Sequence, residues 1–157
     1  MQEPLSLAVG SHFRIVHDQF PQFDQPIRIE AKHQYFADQH TWYEYEFIWK
    51  GDTCFLTIED TYIYLVLKPI KRREVGIRRS WVSQNNLPDV LTYEDQVYHL
   101  VENGPADFHE DLRRMPEKLH YYDYQHGQAY ITVEIWEDGS LQLFHSFRLP
   151  LADLITS

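Results

Sequence analysis

The sequence has few of the residues that small functional motifs require. Cysteine occurs once, at Cys54, so no disulfide can form within the chain. Glycine occurs only 6 times, and no glycine-rich loop joins a strand pattern to a helix pattern as phosphate-binding motifs require. The Gly-x-Ser-x-Gly pattern of many serine hydrolases is missing too. No motif for nucleotide binding or nucleophilic catalysis is therefore present.

Long hydrophobic runs are also missing. No segment approaches the roughly 18 consecutive apolar residues that cross a bilayer as a helix. The first residues, Met1-Gln2-Glu3-Pro4, have neither the basic nor the apolar region of a secretory signal. Together with the single cysteine, these features predict a cytoplasmic protein without a membrane span.

Basic residues are scarce and unevenly placed. Lys and Arg number 14 against 24 Asp and Glu, and the net charge is −10. This balance disfavours a phosphate backbone, so no nucleic-acid partner is expected. Residues 68–79, however, contain a run of basic residues with one acid, Glu74. This basic segment is either a solvated loop or a docking site for an acidic surface.

Aromatic residues are abundant, at 15% of the chain, and they follow the period of a β-strand. Residues 43–49 place aromatic rings on one face and Glu44 and Glu46 on the other, which is typical of a half-buried strand. Residues 62–67 are apolar throughout, which favours a strand covered on both faces. Asn103-Gly104-Pro105 indicates a turn.

A short pattern occurs twice along the chain. Tyr43-Glu44-Tyr45 followed by Leu56-Thr57-Ile58-Glu59 is matched by Tyr122-Asp123-Tyr124 followed by Ile131-Thr132-Val133-Glu134. The match is either a true structural repeat or a coincidence, since strands draw on few residue types. One meander alone would leave its aromatic face in water, so we expect the apolar faces of two meanders to close on each other.

The predicted fold is therefore mainly β, with little helix. Two antiparallel meanders related by a pseudo-repeat would pack as a sandwich or a partly open barrel. We expect a single domain over 1–157, divided into a first β meander (10–69), a basic connector (70–90) and a second β meander (91–149).

Six short motifs recur in the pattern of a known family. They are Gly10-Ser11, Trp42-Tyr43-Glu44-Tyr45, Leu91-Thr92-Tyr93, Val97-Tyr98, Tyr122-Asp123-Tyr124 and Val133-Glu134-Ile135-Trp136. Together they resemble a bacterial family, the domain of unknown function DUF4178. The resemblance runs from about residue 10 to residue 149, and Ser146 stands where family members often carry a glycine. It implies a β-rich domain with no assigned catalytic residues.

Three functions remain open. The first is a non-catalytic accessory or protein-interaction domain, whose partner is another protein and which needs no deep polar cavity. The second is a binding protein for small organic cations such as polyamines. The third is a hydrolase-type enzyme that uses Glu59 or Glu134, which requires a histidine within hydrogen-bonding reach.

The second hypothesis rests on acids placed among aromatic rings. Carboxylates and ring faces are what an organic cation requires, through charge pairing and cation–π contact. The nine histidines show no spacing typical of a zinc site, so neither a metal nor a cofactor is predicted. The candidate ligand-binding residues are Trp42, Tyr43, Glu44, Tyr45, Glu59, Tyr122, Asp123, Tyr124, Glu134 and Trp136.

Overall fold

The computed structural model describes residues 6–156. Met1–Leu5, on which the expectation about a secretory signal rests, and Ser157 lie outside the described residues. Within them, β-strands dominate, as the alternating pattern predicted, and the only α-helix is α1 (Arg79–Ser83). The strands are β1 (His12–Ile15), β2 (Ile27–Arg28), β3 (Ala31–Ala37), β4 (His40–Trp49), β5 (Asp52–Glu59), β6 (Tyr62–Pro69), β7 (Val90–Tyr93), β8 (Gln96–His109), β9 (Glu117–His126), β10 (Ala129–Trp136), β11 (Leu141–Pro150) and β12 (Leu154–Thr156).

Eight of the strands form a closed antiparallel barrel. The order around it is β3-β4-β5-β6-β11-β10-β9-β8, and β8 pairs back with β3, so that Tyr35 lies opposite Phe108. Strand β7 extends the sheet beyond β8. The prediction of a sandwich or a partly open barrel was therefore wrong in one respect, because the sheet closes completely.

The closure depends on the length of β8. This strand has 14 residues and contains the Asn103-Gly104-Pro105 segment, so the turn predicted there is wrong. Its first part pairs with β7, most of it pairs with β9, and its last residues pair with β3. The register shifts between Leu100 and Glu102, and a bulge of this kind bends a strand and increases its twist. The glycine and proline thus lie in a long curved strand.

The two meanders have the same hairpin register. Glu44 lies opposite Thr57 in the β4–β5 hairpin, and Asp123 lies opposite Thr132 in the β9–β10 hairpin. The side chains on both faces of the two hairpins are therefore placed alike. A repeat in the strict sense stays a prediction.

The apolar faces of the meanders do not close on each other, which corrects the sequence-based expectation. In the first meander the alternating rings from Tyr43 to Trp49 point away from the barrel interior, and Tyr45 and Phe47 are fully buried. A small sheet covers them, in the order β12-β1-β2. Phe13 and Phe23 from this covering layer contact Phe47 edge-on. This first core lies outside the barrel wall.

A second core covers the outer face of β9, β10 and β11. Its lid is the connector, which contributes buried Val75, Ile77 and Leu87. Two tyrosines fix the connector to β9. Tyr122 donates its hydroxyl hydrogen to the carbonyl oxygen of Asn85 (2.9 Å) and Tyr124 to that of Pro88 (2.7 Å). The basic connector is therefore partly structural.

Within residues 6–156, no helix is long enough and apolar enough to cross a membrane.

The two cores share no residue, so they should contribute independently to stability. Ile63 lies in the first core and Ile131 in the second, and both are fully buried. Each Ile→Val substitution should lower the free energy of unfolding by about 1 kcal/mol. In urea denaturation the losses of Ile63→Val and Ile131→Val should add in the double variant to within about 0.5 kcal/mol. A clear departure from additivity would mean that the cores are coupled through the barrel.

Candidate functional site

The barrel encloses a cavity, here called the lumen, of about 430 Å³. All eight barrel strands contribute side chains to its lining. Because successive residues of a strand point to opposite faces, and the apolar faces pack outward into the two cores, the polar faces are left to line the lumen. A barrel of this size leaves room for one small ligand, and the volume lies in the range of ligand pockets.

The lumen is acidic. Five carboxylates come from its strands, namely Glu44, Glu59, Glu102, Asp123 and Glu134, and Asp38 between β3 and β4 adds a sixth. None of the described side chains that line it belongs to a lysine or arginine, and the one histidine there is His40. The negative charges of the lumen therefore have no fixed counter-charge in its lining.

These carboxylates lie at different depths. Glu44 pairs with Thr57, and Glu59 lies two residues farther along β5. In the same way Asp123 pairs with Thr132, and Glu134 lies two residues farther along β10. Since β5 and β10 run in opposite directions around the barrel, the two glutamates are displaced toward opposite ends. Glu59 reaches solvent at one mouth, whereas Glu134 is buried and only 5% exposed.

Glu134 is the most unusual of these groups. Tyr35 donates its hydroxyl hydrogen to Glu134 Oε2 at 2.9 Å, while Oε1 is buried and has no hydrogen-bond partner within residues 6–156. Burial raises the pKa of Glu134 to about 7, with a smaller rise from Asp123, although the Tyr35 hydrogen bond acts in the opposite direction. Buried carboxylate oxygens are normally hydrogen-bonded, so the lumen is short of one donor at this atom.

Three other carboxyls of the lumen have pKa values raised in the same direction. Removal from bulk water raises the pKa of Asp123 to about 7, although Thr132 donates a hydrogen bond to it (2.7 Å) that lowers the pKa. Burial and the charges of Glu134 and Glu46 hold the pKa of Glu44 well above its usual range. The pKa of Glu59 is raised by burial and by Glu102. Each rise reflects negative charge held without a cation.

Aromatic rings form the rest of the wall. Tyr35 and Trp42 stack with centroids 5.4 Å apart, and Tyr64 meets Tyr130 edge-on at 5.4 Å. Tyr121 donates its hydroxyl hydrogen to Glu102 Oε1 at 2.7 Å. The lumen thus combines ring surface with carboxylates at several depths.

The predicted ligand-binding residues divide between the two faces of the sheet. Those that line the lumen are Trp42, Glu44, Glu59, Asp123 and Glu134. Those that point outward into the two cores are Tyr43, Tyr45, Tyr122 and Tyr124. Trp136 lies at the other end of the barrel from Glu59, where it contacts Phe108 and borders two adjacent cavities.

The sequence analysis missed part of the lining, including Tyr35, Tyr64, Glu102, Tyr121 and Tyr130. The alternation itself was the signal that would have found some of them. In a strand that carries Tyr122-Asp123-Tyr124, the residues on the aspartate's side are at two-residue intervals, and Tyr121 is one of them. Grouping Asp123 with its immediate neighbours combined side chains from opposite faces.

The described part of the chain has neither a histidine–glutamate pair of the kind a hydrolase needs nor a metal site. No histidine is hydrogen-bonded to Glu59 or Glu134, which the hydrolase hypothesis requires. In residues 6–156 no group of three or more His, Cys, Asp or Glu side chains is placed to hold a metal ion.

The raised carboxyl pKa values should make stability depend on pH. The pKa of Glu134 is about 7 in the folded protein against an ordinary 4.5. Between pH 4.5 and pH 7, the unfolded state has therefore lost this proton while the folded state still holds it. Stability is therefore full below about pH 4.5 and falls as the pH rises through about 7, by up to about 3 kcal/mol for this group. Asp123 should add a loss of the same sign, and urea denaturation from pH 5 to pH 8 measures the sum.

The variant Glu134→Gln should reduce this loss, because a neutral side chain no longer has to ionise beside Tyr35, Asp123 and Glu44. Glu30→Gln, which makes the same charge change at an exposed position, serves as the control and should keep the wild-type pH dependence. Equal slopes for all three proteins would show that Glu134 does not titrate in this window.

Comparisons with known proteins give one match. The sequence model of the family described as "Domain of unknown function (DUF4178)" matches residues 25–150, a span that contains the whole barrel. No curated protein and no solved structure matches the chain.

Proposed function

The chain belongs to the DUF4178 family, whose function is unknown, and we propose that its barrel lumen binds a small organic cation. The observation that carries this proposal is Glu134. Its carboxylate is buried in an acidic, aromatic-walled cavity, toward the end opposite Glu59, and one of its oxygens has no donor within residues 6–156.

Electrostatics supports a positively charged ligand. Several carboxylates share one cavity without a lysine or arginine in its described lining, and desolvation disfavours each charge. A cation that enters the lumen offsets this cost at several carboxylates together. The rings of Trp42 and Tyr64 provide faces on which a cation gains roughly 0.5–2 kcal/mol more, whereas Arg148 already lies over the ring of Tyr130 at 5.5 Å.

Glu134 Oε1, the oxygen without a donor, limits which class of cation fits the lumen. A buried acceptor without a donor costs about 1–3 kcal/mol, and a cation recovers this energy only if it carries a hydrogen-bond donor such as an N–H group. A quaternary ammonium has no N–H to give. The proposed ligand is therefore a protonated amine that donates to Glu134 Oε1 while its carbon chain contacts the rings.

The alternative of a pure protein-interaction module fits the cavity less well. That hypothesis expects no deep cavity with converging polar groups, whereas the lumen brings polar side chains from every barrel strand together. Docking of another protein or an acidic surface at residues 68–79 stays a separate proposal, because the basic segment lies on the outside of the barrel.

We also infer that the two meanders are copies of one ancestral unit. Glu44, Thr57 and Glu59 correspond to Asp123, Thr132 and Glu134 in both sequence order and hairpin register. On this reading, each unit supplies the same two acids to the lumen.

Calorimetric titration with butylamine and with tetramethylammonium tests the proposal. Butylamine should bind, and tetramethylammonium should bind at least tenfold more weakly, since it cannot donate to Glu134; tenfold is about 1.4 kcal/mol. Glu134→Gln should weaken butylamine by a similar factor, because the charge is lost.

Glu30→Gln again serves as the matched control and should bind like the wild type. Binding should also tighten between pH 6 and pH 8, because ionised Glu134 and Asp123 attract the amine more strongly than their protonated forms. No heat and no thermal shift with any amine at millimolar concentration, spermidine included, would disprove the proposal.

A further inference from the structure

The carboxylates of the lumen fall into two groups along the barrel axis. Glu134 raises the pKa of Glu44, and both carboxylates raise that of Tyr35 at the buried level. Asp123, Glu59 and Glu102 form the other group, since both Glu59 and Glu102 raise the pKa of Asp123. Asp123 is the member of this group nearest the buried level, because its charge also raises the pKa of Glu134. We call these groups the inner tier and the outer tier.

The distance between the tiers follows from the strand register. Thr57 lies level with Glu44 of the inner tier, and Glu59 of the outer tier is two residues farther along β5. At about 3.3 Å per residue, two residues advance roughly 6–7 Å. One compact cation at Glu134 therefore leaves the outer tier without a counter-charge.

From this arrangement we propose that the ligand of the lumen is a linear diamine, with one ammonium group at each tier and an alkyl chain between them. This inference rests on the proposed function and specifies its ligand class. The inner ammonium donates to Glu134 Oε1, and the outer ammonium lies among Asp123, Glu59 and Glu102.

The wall between the tiers suits an alkyl chain. Trp42 and Glu59 come one residue beyond the Tyr43–Ile58 pair of the β4–β5 hairpin, and Tyr121 lies opposite Glu134. The rings of Trp42 and Tyr121 meet edge-on with centroids 6.5 Å apart. Methylene groups that lie against these rings leave water without leaving a polar group unpaired. An extended chain advances about 1.2 Å per bond, so the five bonds from nitrogen to nitrogen in diaminobutane span about 6 Å, close to the tier separation.

The test compares two ligands of equal length that differ only in the second charge. Diaminobutane has an ammonium at both ends, whereas aminobutanol replaces one ammonium with a hydroxyl. Calorimetry at pH 8 should show diaminobutane binding at least tenfold more tightly than aminobutanol, because the hydroxyl gains little from the outer tier.

Variants of the two tiers should separate the two contributions. Glu59→Gln, at the solvent-reaching mouth of the lumen, should reduce the advantage of diaminobutane over aminobutanol at least threefold, because it weakens the doubly charged ligand more than the singly charged one. Glu134→Gln should weaken both ligands. Asp123→Asn provides a second outer-tier variant, and its Thr132 hydrogen bond is kept by the amide oxygen.

The outcomes distinguish the two proposals. Equal affinities for diaminobutane and aminobutanol would overturn the diamine assignment and leave a monoamine site intact. Loss of the diamine advantage in Glu30→Gln as well as in Glu59→Gln would also overturn it, since the effect would then come from overall charge. Absence of binding by both ligands would instead overturn the proposed function itself.

Discussion

The alternation of side chains across a closed sheet is the constraint on which this structure depends. A strand in a barrel has one face toward the lumen and one toward the outside, and here the apolar residues occupy the outer face. Tyr45 and Tyr124 are fully buried although neither faces the lumen. The outer faces stay dry only because the small sheet covers one flank and the connector covers the other. The polar residues are then left inside.

This inverted distribution explains why the lumen is both polar and stable. Most of the buried apolar side chains that hold the fold together lie outside the wall, in two cores that share no residue, while a smaller cluster around Tyr35, Ala37 and Leu119 packs on the lumen side. The inward positions are therefore free of a packing role at many points, and they carry Glu44, Asp123 and Glu134 with raised pKa values. Perturbed carboxyls that gather in a cavity are characteristic of functional sites.

Buried acids without a cation have a cost, and the protein tolerates it through a few local contacts. Tyr35 donates a hydrogen bond to one oxygen of Glu134, and Thr132 donates one to an oxygen of Asp123. Protonation near neutral pH relieves part of the remaining repulsion. In the function proposed above, a protonated amine replaces this proton, because ligand binding and proton loss act on the same oxygens.

The sequence by itself determined the strands, the hairpins and the acid-and-aromatic alternation. The Tyr-acid-Tyr triplets and the Thr-containing return strands predicted two β meanders with little helix, because these are local patterns of period two. They also placed Glu44, Glu59, Asp123 and Glu134 among the candidates, and all four line the lumen.

Only the tertiary structure decided which face points inward and whether the sheet closes. Period two separates the faces of a strand, but it does not say what covers each face, and here segments distant in sequence, such as β12 and the connector, supply the cover. Closure depends on the β3–β8 pairing, which joins residues about 70 positions apart. To reach this pairing, β8 continues through Gly104-Pro105, a segment that locally favours a turn. Such long-range pairing is set by the global geometry of the barrel, so no local pattern reveals it.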